Sequence, residues 1–232
     1  MIRRPPRSTL SSSSAASDVY KRQDITSPDD AAVFIMECGN ELVMIDSGAG
    51  RSYETLLGNI ERLFLDPYRI STLILTHCHI DHIGSAPFFR DRFGCTLVCH
   101  ELDAGAIESG DPVATAASWY DTEFPPTPLD RKLTGDGGIL KYGDEEIHWV
   151  HTPGHTPGSI SLYIDRRGKR ILFGQDIHGP FLSSFRSDIG QWRRSMATLL
   201  DLNADILCEG HFGIYRSKKS VESYIRGYLR TY

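Results

Sequence analysis

The stretch Leu73-Ile-Leu-Thr-His77-Cys-His79-Ile-Asp81-His82-Ile-Gly84 decides how this chain is read. An apolar run of strand length, residues 70–75, ends in a polar cluster with three histidines and an aspartate within six positions. Side chains alternate faces along a strand, so His77 and His79 point the same way. Asp81 and His82 join them if the backbone turns after the strand. Four such groups at one strand end would repel one another and lose solvation unless a cation sat among them. The stretch is therefore read as a metal site rather than a solvated polar loop.

Imidazoles and carboxylates without a thiolate suit zinc, with iron or manganese as alternatives. Further ligands stand downstream. His151-Thr-Pro-Gly-His155-Thr-Pro-Gly158 is a rigid turn presenting histidines, Phe173-Gly-Gln-Asp176 follows one apolar run, and Glu209-Gly-His211 follows another. Each sits where a strand is expected to meet a loop.

Five motifs stand in order over about residues 31–215: Ile45-Asp46-Ser-Gly48, Thr76-His-Cys-His-Ile-Asp-His82, Pro153-Gly-His155-Thr-Pro-Gly158, the aspartate of Gly174-Gln-Asp176, and Gly210-His211. In these the sequence resembles the metallo-β-lactamase superfamily of hydrolases. The resemblance implies an α+β fold, the four-layer αβ/βα sandwich. It implies that His77, His79 and His155 hold one metal, Asp81, His82 and His211 a second, and that Asp176 bridges them. The activity implied is hydrolysis by a dinuclear zinc-bound hydroxide, with two zinc ions per chain and a small thioester or lactone as substrate. Asp81, beside the shared water, would also move protons. The alternative is a mononuclear iron oxidoreductase similar to the persulfide dioxygenases, which use a subset of the motif; seven ligands favour two metals. Gln175 departs from the pattern, because the family places glycine directly before the bridging aspartate. About twenty residues follow His211, too few for the helical carboxy-terminal domain of glyoxalase II enzymes.

At 232 residues, 40% hydrophobic and 24% charged, the chain can bury a substantial core. No run of eighteen apolar residues exists, so no transmembrane helix is expected. Residues 1–23 are set apart as a leader, and residues 24–232 are read as one domain. The leader is basic and Ser-rich, with Arg3, Arg4, Arg7, Lys21 and Arg22 against Asp18 alone, a net +4; the remainder carries −9 from 20 basic and 29 acidic residues. It resembles translated sequencing-adapter read-through, with a transit peptide or phosphate-binding arm as the alternatives. On that reading the native amino terminus, with part of a first strand, is missing. The acidic body argues against nucleic-acid processing. The five cysteines, odd in number and without a C-x-x-C pair, fit reduced thiols in the cytoplasm.

Coarse structure follows from periodicity. Strands are expected over 31–37 and 42–45 around a Gly39-Asn40 turn, then a helix over 52–64, the metal strand, a helix over 86–93 and a strand over 96–99. Two hairpins come next, over 138–150 and 159–173, then a helix over 192–202, a strand over 204–208 and a helix over 217–229. Asp46 closes its strand either by orienting a histidine ligand or by capping a turn. Cys78 should point away from its histidine neighbours, and Cys208 should belong to the core. His151 reads as structural or supporting, His178 as a candidate for the substrate mouth, and His100 and His148 as strand-end or surface residues. Residues 101–130, aromatic and poorly periodic, read as a lid or as an insertion used in packing or homodimer contact.

Overall fold

The computed structural model describes the backbone of Lys21–Arg22 and residues 29–232; positions 1–20 and 23 of the expected leader lie outside the described residues. Two six-stranded mixed sheets form the centre. The first begins with β1 (Lys21–Arg22), antiparallel to β2 (Phe34–Cys38), which turns through Gly39 into β3 (Glu41–Ile45). Parallel strands β4 (Ile70–Ile74), β5 (Thr96–His100) and β6 (Arg131–Leu133) complete it. Crossing between these strands are α1 (Tyr53–Arg62), the single turn α2 (Ile80–Ile83), α3 (Ala86–Phe93) and α4 (Glu101–Ser109). The second sheet is the antiparallel meander β7 (Gly137–Tyr142), β8 (Glu145–His151), β9 (Ile160–Arg166) and β10 (Lys169–Phe173). Through α5 (Ile189–Asp201), β11 (Ile206–Cys208) pairs parallel to β10, and β12 (Ile214–Tyr215) closes the edge before α6 (Lys218–Thr231).

The period-2 alternation shows why the sheets stack. Phe34, Met36, Val43 and Ile45 point between the sheets, where they meet Leu162, Phe173 and Cys208; Phe34 and Phe173 touch edge to face at 5.3 Å. Ile35, Leu42 and Met44 point the other way, onto Leu56 and Ile60 of α1 and Phe89 of α3. Leu172 and Leu207 of the second sheet cover Trp192 and Met196 of α5 and Val221 and Ile225 of α6. Helix, sheet, sheet, helix is therefore the layer order, as expected for the αβ/βα sandwich. Each large apolar side chain so buried contributes roughly 1.5–3 kcal/mol.

Residues 101–130 hold more order than their periodicity suggests. They fold as α4, a 3₁₀ turn at Ala117–Tyr120 and a proline-rich run leading to β6. Helix α4 carries Gly105 in its middle and a fully buried Asp103, so no clean apolar stripe marks it. The two-stranded edge pairings of β6 and β12 are too short to show a pattern. All five cysteines are buried, and none forms a disulfide. Cys78 donates to the Ala114 carbonyl at 3.3 Å, away from the histidines, and Cys208 lies between the sheets. Among the described residues no helix is long and apolar enough to cross a membrane.

Candidate metal centre

All seven expected ligands come from loops at one end of the strands. After β4 the chain bends over residues 76–78 to His79 at the amino end of α2, and that helical turn brings Asp81 and His82 round to join His77. His155 sits in the tight turn closed by Thr152 N–H to Ser159 O at 2.8 Å. Within it Gly154 has φ +136°, and a Cβ there would lie 2.4 Å from the Cα of Trp192. Only glycine lets this turn seat directly on α5. Asp176 follows β10 in a left-handed conformation, and His211 follows β11.

The groups fall into two sets that share one carboxylate: His77, His79, His155 and Asp176, and Asp81, His82, Asp176 and His211. Asp176 Oδ2 lies 3.7 Å from His77 Nε2 and 3.2 Å from His155 Nε2, which is itself 2.8 Å from His79 Nδ1. Asp176 Oδ1 lies 3.1 Å from His82 Nε2 and 3.2 Å from His211 Nε2; Asp81 Oδ2 completes that set at 3.6 and 3.3 Å from the same nitrogens. His77 Nε2, His82 Nε2 and Asp176 Oδ1 are buried without a hydrogen-bond partner, as is the opposite nitrogen of His79, Nε2. Orphaned lone pairs converging at these distances would be costly unless a cation satisfied them. The donor set fits divalent metal.

Electrostatics agree. Burial pushes His77 well below the ordinary imidazole range and His79 down to about 3, so both rings are neutral with lone pairs to offer. At His82 burial acts the same way, but Asp176, Asp81 and Asp46 outweigh it and hold the ring well above that range. His211, also opposed by burial, is drawn up to about 10 by Asp176 and Asp81. The second set thus carries enough negative charge to hold a positive one.

Buried polar groups fix the ligands. Asp46 does orient a histidine: its Oδ2 accepts from His82 Nδ1 at 2.7 Å and from the Thr76 hydroxyl at 2.8 Å, while Oδ1 takes the Thr76 N–H. That hydroxyl, having given its proton to Asp46, accepts from His77 Nδ1 at 3.1 Å. Gln175 explains its own intrusion into the motif, donating to the same Asp46 oxygen at 2.8 Å. His155 Nδ1 donates to Pro180 O at 2.9 Å. Each of these bonds occupies Nδ1 and leaves Nε2 for a metal.

Two buried acids have supporting places that the sequence did not announce. Asp103 of α4 accepts from Cys78 N–H, Gly158 N–H and the Thr156 hydroxyl, tying the two histidine-bearing loops together. Glu209 accepts from the N–H groups of His211 and Phe212 and from His178 Nδ1. His151 is structural, bonded to Pro157 O and stacked at 4.1 Å on His100. His148 stacks on Tyr163.

A cavity of about 250 Å³ opens on the centre; Trp119, Tyr120, His178 and Phe185 line it beside His79, Asp81 and His211. The 101–130 segment therefore walls the site, and His178 does line the mouth. Burial, together with the Asp81 and Asp176 carboxylates near its hydroxyl, raises the pKa of Tyr120.

A four-layer sandwich with two histidine–carboxylate sets at one sheet edge defines an enzyme of the metal-dependent hydrolase class. The chain belongs to the metallo-beta-lactamase superfamily, whose sequence profile matches residues 27–211. It is 33% identical over 173 residues to the hydroxyacylglutathione hydrolase GloC of Haemophilus influenzae, covering 72% of this chain and 78% of that protein. It is 26% identical over 227 residues to the probable metallo-hydrolase YflN of Bacillus subtilis, covering 83% and 84%. The FEZ-1 metallo-beta-lactamase of Legionella gormanii shares the fold, with a TM-score of 0.77 over 92% of this chain and 94% of that one at 16% identity.

Proposed function

We propose that this chain is a dinuclear zinc hydrolase of a small ester-like substrate, a thioester or a lactone. The division of the Asp176 carboxylate supports this most directly: Oδ2 faces the His77, His79 and His155 set, and Oδ1 faces the Asp81, His82 and His211 set. A single ion would leave one set of orphaned nitrogens unsatisfied. Zinc suits tetrahedral nitrogen and oxygen donors. Two divalent ions held there would supply Lewis acidity to polarise the scissile carbonyl and would make water nucleophilic at neutral pH.

The residues do the rest. Asp46, Thr76 and Pro180 hold the imidazoles so that Nε2 faces inward at His77, His82 and His155. Asp81, a buried carboxylate held below its usual range because His82 and His211 outweigh the effect of burial, accepts the proton of the attacking water and returns it to the leaving group. Tyr120 lines the cavity beside Asp81, with its hydroxyl in the field of that carboxylate. The Trp119 and Phe185 rings, 4.9 Å apart, limit water at the mouth. His211, the most exposed of the seven at 25%, marks the side from which substrate enters. Five buried cysteines without a disulfide suit a reducing, cytoplasmic setting.

Metal content per chain, on protein purified without added metal, is the test, with Asp176→Ala as control. Two zinc ions falling to one or none in the variant, with turnover of thioesters or lactones, is the expected result. One iron per chain, bound without need of Asp81 or His82, would overturn the dinuclear reading and move the search to oxygen consumption with persulfides.

A further inference from the structure

We propose, resting on that hydrolase reading, that the site selects substrates whose acyl and leaving groups are apolar and uncharged, and rejects thiols that carry a carboxylate. Two independent features of the cavity wall carry this.

The first is aromatic. Phe185 is buried against the His79 ring at 4.3 Å, and Trp119 lies against Phe185 at 4.9 Å while remaining 58% exposed. Phe212, 57% exposed, packs at 4.8 Å on His178, which lines the cavity. Aromatic rings on and beside the wall of this cavity give an acyl chain apolar surface to cover. A methylene so buried strengthens transition-state binding about three- to fourfold.

The second is charge. The segment that forms one wall, residues 101–130, has no lysine or arginine; Asp103 is buried, Glu108 and Asp130 pair with Lys132 and Arg90, and the exposed Asp121 and Glu123 follow the wall residues Trp119 and Tyr120. Among the described residues no lysine or arginine lines the cavity. Two arginines flanking the wall are engaged elsewhere: Arg51 donates to the carbonyls of Tyr120 and Asp121 and pairs with Asp29 at 3.9 Å, and Arg186 donates to the carbonyl of Leu102. His178 has its Nδ1 engaged by Glu209. A carboxylate on a leaving group that lies along this wall, away from the metal ligands, would therefore lose water and find no cationic side chain in return.

The test uses the full chain loaded with zinc and two thioesters of the same acyl group, one of neutral N-acetylcysteamine and one of anionic N-acetylcysteine. Each rate is normalised to the hydroxide-catalysed rate of that compound. At low ionic strength kcat/KM should favour the neutral thioester by about tenfold or more, and added salt or Glu123→Lys should narrow the ratio. Lengthening the acyl group from acetyl to hexanoyl should raise kcat/KM more than tenfold, and less so in Trp119→Ala. Equal or faster cleavage of the carboxylated thioester, or no dependence on acyl length, overturns the inference and leaves the hydrolase reading standing. Failure of the two-metal protein to cleave any thioester or lactone overturns both.

Discussion

Asp46 Oδ2 and His82 Nδ1 face each other at 2.7 Å, and neither residue exposes any surface. A carboxylate accepts, so Nδ1 carries a proton and Nε2, facing Asp176, Asp81 and His211, is the nitrogen a metal would take. The same oxygen also takes the Thr76 hydroxyl and the Gln175 amide, so it is saturated with donors. Asp46→Asn should lower metal affinity at the Asp81–His82–His211 set about 10- to 100-fold. The His77–His79–His155 set should change less, because Asp46 reaches it only through Thr76. Chelator competition resolving two binding steps checks this; an equal loss at both steps would show that Asp46 holds the loop rather than the ring.

Asp103 answers for a different part of the site. Its carboxylate receives three donors, from Cys78, Thr156 and Gly158, and is fully buried. Removing it strands two backbone N–H groups and a hydroxyl, each at about 1–3 kcal/mol. Asp103→Ala should therefore destabilise the metal-free protein by about 3 kcal/mol or more, seen as a lower urea midpoint at unchanged m. It should also loosen His79 and His155, whose loops it joins.

The centre was legible because its chemistry is written locally. Four potential ligands fall within six residues, and a strand end with alternating side chains can place them only one way. The strands were legible for a similar reason: Phe34, Met36 and Val43 alternate with Ile35, Leu42 and Met44 onto two different cores. Asp103 and Tyr120 were not legible. Both lie in residues 101–130, where Gly105 and the buried Asp103 break the apolar stripe of α4, and their partners are 25–55 positions away. Gln175 looked like a flaw in the motif, and only the tertiary contact with Asp46 gives it a place.

Proton competition should differ between the two sets. His79 is held down to about 3 and His77 well below the ordinary range, so neither binds a proton at neutral pH. His211 is raised to about 10 and His82 is raised as well, so without metal both are protonated at pH 7. Metal entering the second set must displace those protons, and its apparent affinity should fall by up to about 100-fold per pH unit of acidification. On acidification the second ion should leave first. Stability of the metal-free protein follows the same signs: the His211 contribution is full below about 6.5 and is lost as pH rises through about 10, whereas the His79 contribution holds above about 6.5 and is lost as pH falls toward about 3. Calorimetry of zinc binding in buffers of different ionisation enthalpy measures the protons released; none released at pH 7 would contradict this assignment.

Tyr120 links the wall of the cavity to its chemistry. It lines the cavity, its hydroxyl lies in the field of Asp81 and Asp176, and its backbone carbonyl accepts from Arg51 at 2.5 Å. Tyr120→Phe keeps the ring and the Arg51 bond and removes only the hydroxyl. Asp81 would then lose a polar neighbour at the cavity wall, while its 3.3 Å approach to His211 would remain. Turnover of a thioester or lactone should fall about 10-fold or more in kcat, with KM and zinc content near those of the parent. A rise in KM at constant kcat would instead mark Tyr120 as a surface for substrate binding alone, and a loss of zinc would mark it as part of the scaffold that holds Asp81.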